Sequence, residues 1–116
     1  MQSEKPTDYQ YIYQYRPEML SFIPNDCRIF LEVGCSDGSF AVQLKNRPGA
    51  VVWGVEMHTG SAAIAETKLD HVFCGDFLSL TNSGKIPTNH FDCIIFNDVL
   101  EHFQDYNVVL NAVKRL

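Results

Sequence analysis

Apolar positions gather into four short runs along the chain, and a segment of helical spacing follows most of them. Residues 28–33, Arg-Ile-Phe-Leu-Glu-Val, form a β-rich run that stops at Gly34. Residues 39–46 carry Phe40, Ala41 and Leu44 on one helical face, and Arg47-Pro48-Gly49 ends that helix. A second strand spans 50–55, an Ala-rich helix 61–69, and a third strand 71–74. The polar stretch 81–90, with Gly84 and Pro87, reads as a loop. A fourth strand covers 91–96. Asp105 is placed to cap a last helix through Tyr106, Val109, Leu110, Val113 and Leu116. Residues 1–25 read as an arm with alternating Tyr9, Tyr11, Tyr13 and Tyr15, then a short helix. Pro17 and Glu18 suit its first turn, Met19, Leu20, Phe22 and Ile23 form its apolar stripe, and Pro24-Asn25-Asp26 stops it.

Strands alternating with helices predict an α/β, Rossmann-like parallel sheet with helices on both faces. Right-handed crossovers place strands 2 and 3 on one side of strand 1 and strand 4 on the other. The predicted order is 3-2-1-4. A crevice opens where that order reverses, at the carboxyl ends of strands 1 and 4, and a ligand belongs there.

Composition narrows the class. The 116 residues suffice for one domain, residues 26–116, behind the arm. Nine basic residues against fourteen acidic ones, net charge -5, argue against nucleic acid as a partner. No apolar run approaches a membrane span, and Met1-Gln2-Ser3-Glu4-Lys5 does not open a signal peptide. Cys27, Cys35, Cys74 and Cys93 make no CxxC or zinc-knuckle spacing, and the last three fall in or beside apolar runs where buried thiols are common. A reduced, cytoplasmic domain is expected. Lys45, Arg47, Lys114 and Arg115 read as solvated helix ends.

The candidate chemistry starts after strand 1, at Glu32-Val33-Gly34-Cys35-Ser36-Asp37-Gly38-Ser39. A dinucleotide fingerprint needs glycine at 34, 36 and 39, and Ser36 and Ser39 remove two of the three. A nicotinamide-dependent oxidoreductase is therefore the weaker enzyme reading. The loop instead fits Glu-x-Gly-x-(Gly)-x-Gly with Ser36 in the middle slot. Here the chain resembles the class I S-adenosylmethionine-dependent methyltransferases, over roughly residues 26–116.

That resemblance implies S-adenosylmethionine as cofactor. Gly34, Cys35, Ser36 and Gly38 would let backbone approach its methionyl end, with free amides at the next helix start facing its carboxylate. Glu32 would hold the loop and the amino-acid end. Glu56 lies 22 positions after Gly34 and matches the acid that accepts from ribose hydroxyls, a diol offering two donors to two carboxylate oxygens. Met57 would lie along the adenine face. Asp76 would accept from the adenine amino group and the Phe77 amide would donate to a ring nitrogen, the plainer alternative being that Asp76 caps the turn after it.

Residues 91–103, Phe-Asp-Cys-Ile-Ile-Phe-Asn-Asp-Val-Leu-Glu-His-Phe, are the most specific stretch. They resemble the Asp-Val-Leu-Glu-His segment of bacterial small-molecule methyltransferases. The resemblance puts the Asn97 carbonyl against the cofactor's ammonium and Asp98 and His102 at the methyl-transfer mouth. His102 is then a candidate general base for an oxygen acceptor, or simply a helix-edge residue. Asp98-x-x-Glu101-His102 also resembles part of a Glu-x-x-Glu-His metal set, but a further ligand is missing and no metal is assigned. Residues 13–20 resemble the lead-in of methyltransferase domains that accompany surface-glycan glycosyltransferases. The implied acceptor is a small molecule or a glycan.

Class I members usually carry seven strands, and this sequence reaches Leu116 inside the helix after the fourth. The cofactor-binding half is expected here, lacking the C-terminal strands. An apolar fourth strand at a sheet edge predicts a homo-oligomer, or completion by the C-terminal part of a longer chain. A non-catalytic cofactor-binding or interaction module is the alternative from another class.

Overall fold

The computed structural model describes residues 20–96, 106–114 and 116. Its strands are β1 (Ile29–Val33), β2 (Val51–Glu56), β3 (His71–Cys74) and β4 (Cys93–Phe96). They form one parallel sheet in the order β3-β2-β1-β4, as the crossover rule requires. Val33 stands beside Val55 and Phe96, so the strands end together along one rim.

Helices α1 (Thr59–Glu66), α2 (Phe77–Asn82) and α3 (Tyr106–Lys114) and a 3-10 helix (Ala41–Asn46) complete the described chain. Two apolar layers sandwich the sheet. Phe30, Val52 and Ile95 pack beneath Ala41, Leu44, Ala65 and Leu69 on one face. Leu31, Val33 and Val55 pack with Phe77, Ile86, Val109 and Ala112 on the other. Near the opposite rim Trp53 gathers His71, Phe73, His90 and Phe91 around its ring, at centroid distances from 4.1 to 5.8 Å.

Several details depart from the sequence reading. Residues 39–46 were expected to form an ordinary helix; the observed turn is a tighter one. Gln43 N and Arg47 N each donate three residues back, to Phe40 O and Leu44 O. The Gln43 side chain also donates to Ser39 O and Phe40 O, and Phe40 offers no side-chain cap. Phe22, placed on an inward stripe, is 77% exposed, whereas Ile23 is buried. Arg47 is no loose helix end: it donates to Pro24 O at 2.6 Å and Ile23 O at 3.1 Å and lies over the Phe30 ring. Lys45 pairs with Asp70 at 2.7 Å. Cys74 is exposed, while Cys27 is buried.

Among the described residues no helix is long and apolar enough to cross a membrane.

Candidate cofactor site

Three loops meet at the rim where the strands end, and backbone hydrogen bonds lace them together. Gly34 N and Cys35 N donate to the same Val55 carbonyl, at 2.8 and 3.0 Å, which seats the first loop on β2. Gly75 N donates to Glu56 O at 3.0 Å and brings in the loop after β3. Gly34, Ser36 and Gly38 all have positive φ, at 78°, 53° and 86°. Ser36 thus takes a left-handed conformation in the slot where the motif prefers glycine. Gly38 serves packing as well, because a Cβ there would stand 3.3 Å from Ala65 Cα.

Glu56 ties the loops electrostatically. Its Oε1 accepts from Ser36 N at 2.8 Å and its Oε2 from His58 N at 3.0 Å. A carboxylate has about four acceptor sites, so two remain for hydroxyl donors from solvent or a ligand. Met57, beside it, is 69% exposed at the rim. The Cys74 thiol donates weakly to Met57 O at 3.8 Å.

Beneath the loop, Glu32 is 2% exposed. Cys35 is buried with it, and burial pushes its thiol far above the ordinary range, with the Glu32 and Glu56 carboxylates adding to the effect. Cys35 is therefore a packing thiol in this structure. It packs against Gly54, a residue that the sequence reading did not single out; the signal was a glycine inside an otherwise apolar strand.

One expectation changes at the start of the 3-10 helix. Free amides were anticipated there. Ser39 N instead donates to Asp37 Oδ1 at 3.0 Å, and Ser39 Oγ donates to the same oxygen at 2.6 Å. Gly38 N is used by Cys35 O. Lys68 reaches over from the end of α1 to lie 3.4 Å from Ser39 Oγ and 3.9 Å from Asp37 Oδ2, bringing a cation to the loop.

Asp76 caps α2, its Oδ2 accepting from Ser79 N at 2.9 Å. The plainer alternative for Asp76 is thus present in the structure, and its position at the end of β3 still faces the shared rim. Phe77 is buried on the far side, edge-on to Phe96 at 5.7 Å, which leaves its backbone as the part available to a ligand. Glu32, Gly34, Cys35, Ser36, Gly38, Glu56, Met57, Asp76 and Phe77 are therefore brought to one rim or directly under it. Asn97, Asp98, Glu101 and His102 lie outside the described residues, as does the arm through residue 19. Among the described residues no group of three or more His, Cys, Asp or Glu is placed to hold a metal.

The methyltransferase-domain family model matches residues 31–116, most of the chain and all three loops. The chain belongs to the methyltransferase domain family. Solved structures agree on the fold. A methyltransferase dependent on S-adenosylmethionine from Archaeoglobus fulgidus is 21% identical, with a TM-score of 0.69 over 92% of this chain and 47% of its own. One from Mesorhizobium loti is 18% identical, with a TM-score of 0.72 over 88% of this chain and 47% of its own. One from Aquifex aeolicus is 16% identical, with a TM-score of 0.64 over 97% and 67%. This methyltransferase-domain chain thus spans about half the length of the first two. No curated protein matches it in sequence.

The family's cofactor suits the residues present. The left-handed turns at Gly34, Ser36 and Gly38 keep backbone near the rim, and Glu56 keeps acceptor capacity for a diol. Exposed Met57 offers a polarizable surface for an aromatic base.

Proposed function

We propose that this chain binds S-adenosylmethionine across the carboxyl ends of β1, β2 and β3. It supplies the cofactor-binding half of an enzyme that methylates a small-molecule or glycan acceptor. The observation that carries this reading is the Glu56 carboxylate at the end of β2, fixed by the His58 amide and by the Ser36 amide of the loop after β1, the strand that borders the reversal of sheet order.

Bound there, the cofactor would supply a sulfonium-activated methyl group, whose bond to sulfur breaks as the acceptor's oxygen, nitrogen or carbon bonds to the methyl carbon and S-adenosylhomocysteine leaves. The chain's own part is binding and orientation. Glu56 accepts from the ribose diol. Met57 lines the adenine, which the Asp76 carboxylate and the Phe77 amide read by hydrogen bonding. Gly34, Cys35, Ser36 and Gly38 hold backbone against the amino-acid end, supported from below by Glu32, and the Asn97 carbonyl takes the ammonium. His102 is the base that the sequence resemblance offers for an oxygen acceptor, and Asp98 the second candidate catalytic residue. The setting is the reducing cytoplasm, where four free thiols persist.

Calorimetry with S-adenosylhomocysteine and with NAD tests the reading. Saturable binding of the first, about 10- to 100-fold weaker in Glu56→Gln from loss of charged hydrogen bonds, supports it. Binding of NAD alone overturns it in favour of an oxidoreductase.

The position of β4 at the sheet edge favours a second proposal, completion by association. Sedimentation showing a dimer or larger species supports it, and a monomer at high concentration counts against it. Cofactor binding with no methyl transfer to any acceptor in that assembled state would identify a non-catalytic module.

A further inference from the structure

Between β2 and α1 a single residue performs two tasks. The His58 amide donates to Glu56 Oε2, fixing one oxygen of the carboxylate whose other oxygen takes the Ser36 amide. The His58 ring serves the helix. Its Nδ1 accepts from Ser61 N at 3.1 Å, with Ser61 Oγ also at 3.1 Å. His58 occupies the N-cap position in extended conformation, where a side-chain oxygen of Ser, Thr, Asp or Asn is the usual acceptor. An imidazole accepts there only while it is neutral and its proton sits on Nε2. Gly60 makes room for the ring: a Cβ on that residue would stand 3.1 Å from His58 Cε1.

We infer that His58 is a positioning residue for the Glu56 carboxylate, and that protonating its ring loosens the site so that cofactor affinity falls in mildly acidic solution. The inference rests on the reading of Glu56 as the ribose acceptor. A protonated ring has no lone pair for the Ser61 amide, and it sets a positive charge against the positive end of α1. The surrounding groups do not offset this. From β2 the Glu56 carboxylate attracts an imidazolium, drawing the ring off the helix and competing with a diol for the same oxygens. From β3 comes the Cys74 thiol, which is directed at Met57 O. The loop after β1 contributes the uncharged Ser36 amide, and the first turn of α1 holds no acid to retain the charge.

The experiment is calorimetric titration of the 116-residue chain with S-adenosylhomocysteine from about pH 8 to about pH 5.5, the range in which imidazole changes charge. Three forms are compared: the natural sequence, His58→Ser and His58→Ala. Serine replaces the cap with one that does not titrate; alanine removes it at every pH. At pH 8 the natural and serine forms bind alike, and the alanine form binds more weakly, by up to roughly tenfold, the ceiling set by the stability of a lost cap. On acidification the natural form loses that same factor while the serine form does not. Amide exchange at Ser61 follows the same pattern without any ligand. Identical pH profiles for the natural and serine forms, with Ser61 exchange unchanged, overturn the role of His58 and leave the function standing. Failure of all three forms to bind at any pH overturns the function itself, and this inference with it.

Discussion

Gly54 and Cys35 occupy one space. A Cβ on Gly54 would stand 2.7 Å from Cys35 Sγ and 3.0 Å from Leu69 Cδ1, closer than packed atoms tolerate. Gly54→Ala should therefore destabilise the chain by about 1–3 kcal/mol, the usual cost of overpacking. Urea denaturation measures this. Adding Cys35→Ala should return part of the loss, since the cavity it makes receives the new methyl group. A purely additive double variant would show that the two residues do not share the space.

Ser36 holds a left-handed backbone angle at an exposed position, so its conformation can be tested without disturbing the core. Ser36→Gly should raise stability by up to about 1 kcal/mol, because relief of the strained angle exceeds the added freedom of the unfolded chain. Ser36→Val should lower it by about 1–2 kcal/mol, a β-branched residue fitting that region poorly. Equal stability of the two variants would contradict the observed loop.

Asp92 fastens β4 to the start of β1, its Oδ2 accepting from Arg28 N at 2.8 Å and Ile29 N at 2.9 Å. These two amides hold its carboxyl below the usual aspartate range. A depressed folded value means that the stabilisation is complete above the ordinary value, about 3.9, and is lost as pH falls through the lower folded one. Asp92→Asn should be less stable than the natural chain at pH 7. That gap should close as the solution is acidified below about pH 4. A gap independent of pH would place the effect in packing and not in charge.

Thiol accessibility separates the four cysteines. Cys74 is exposed, whereas Cys35 is buried with its thiol held protonated. Iodoacetamide followed by mass spectrometry should modify Cys74 first and reach Cys35 only on unfolding. S-adenosylhomocysteine should slow labelling of Cys74, which lies beside Met57. Rapid native labelling of Cys35 would show that the first loop opens.

The sheet order and the gathering of Glu56, Gly34 and Asp76 at one rim were legible because strand–helix alternation and handedness leave few topologies. What escaped the sequence depends on contacts between distant segments. Phe22 fits a helical stripe by spacing, but it is Ile23 and Leu20 that pack against the core of Phe30 and Cys27. Arg47 resembles any basic helix end until the Ile23 and Pro24 carbonyls arrive to receive it. The 3-10 geometry of Ala41–Asn46 lies in backbone bonds three residues back, which apolar periodicity does not distinguish from the four-residue spacing of an ordinary helix. Trp53 reads as one apolar strand residue, yet it organises rings from β3 and from residues 90 and 91.

The central place of β1 also shapes how the chain is born. Ile29 finds Val51 soon after it is made, but its other flank waits for Cys93 opposite Phe30. A ribosome releasing this chain in order exposes a three-stranded precursor with the hydrogen-bonding groups of β1, the most deeply buried strand, bare along one side. Slow translation between β3 and β4 prolongs that exposure, and nascent-chain aggregation should rise with it.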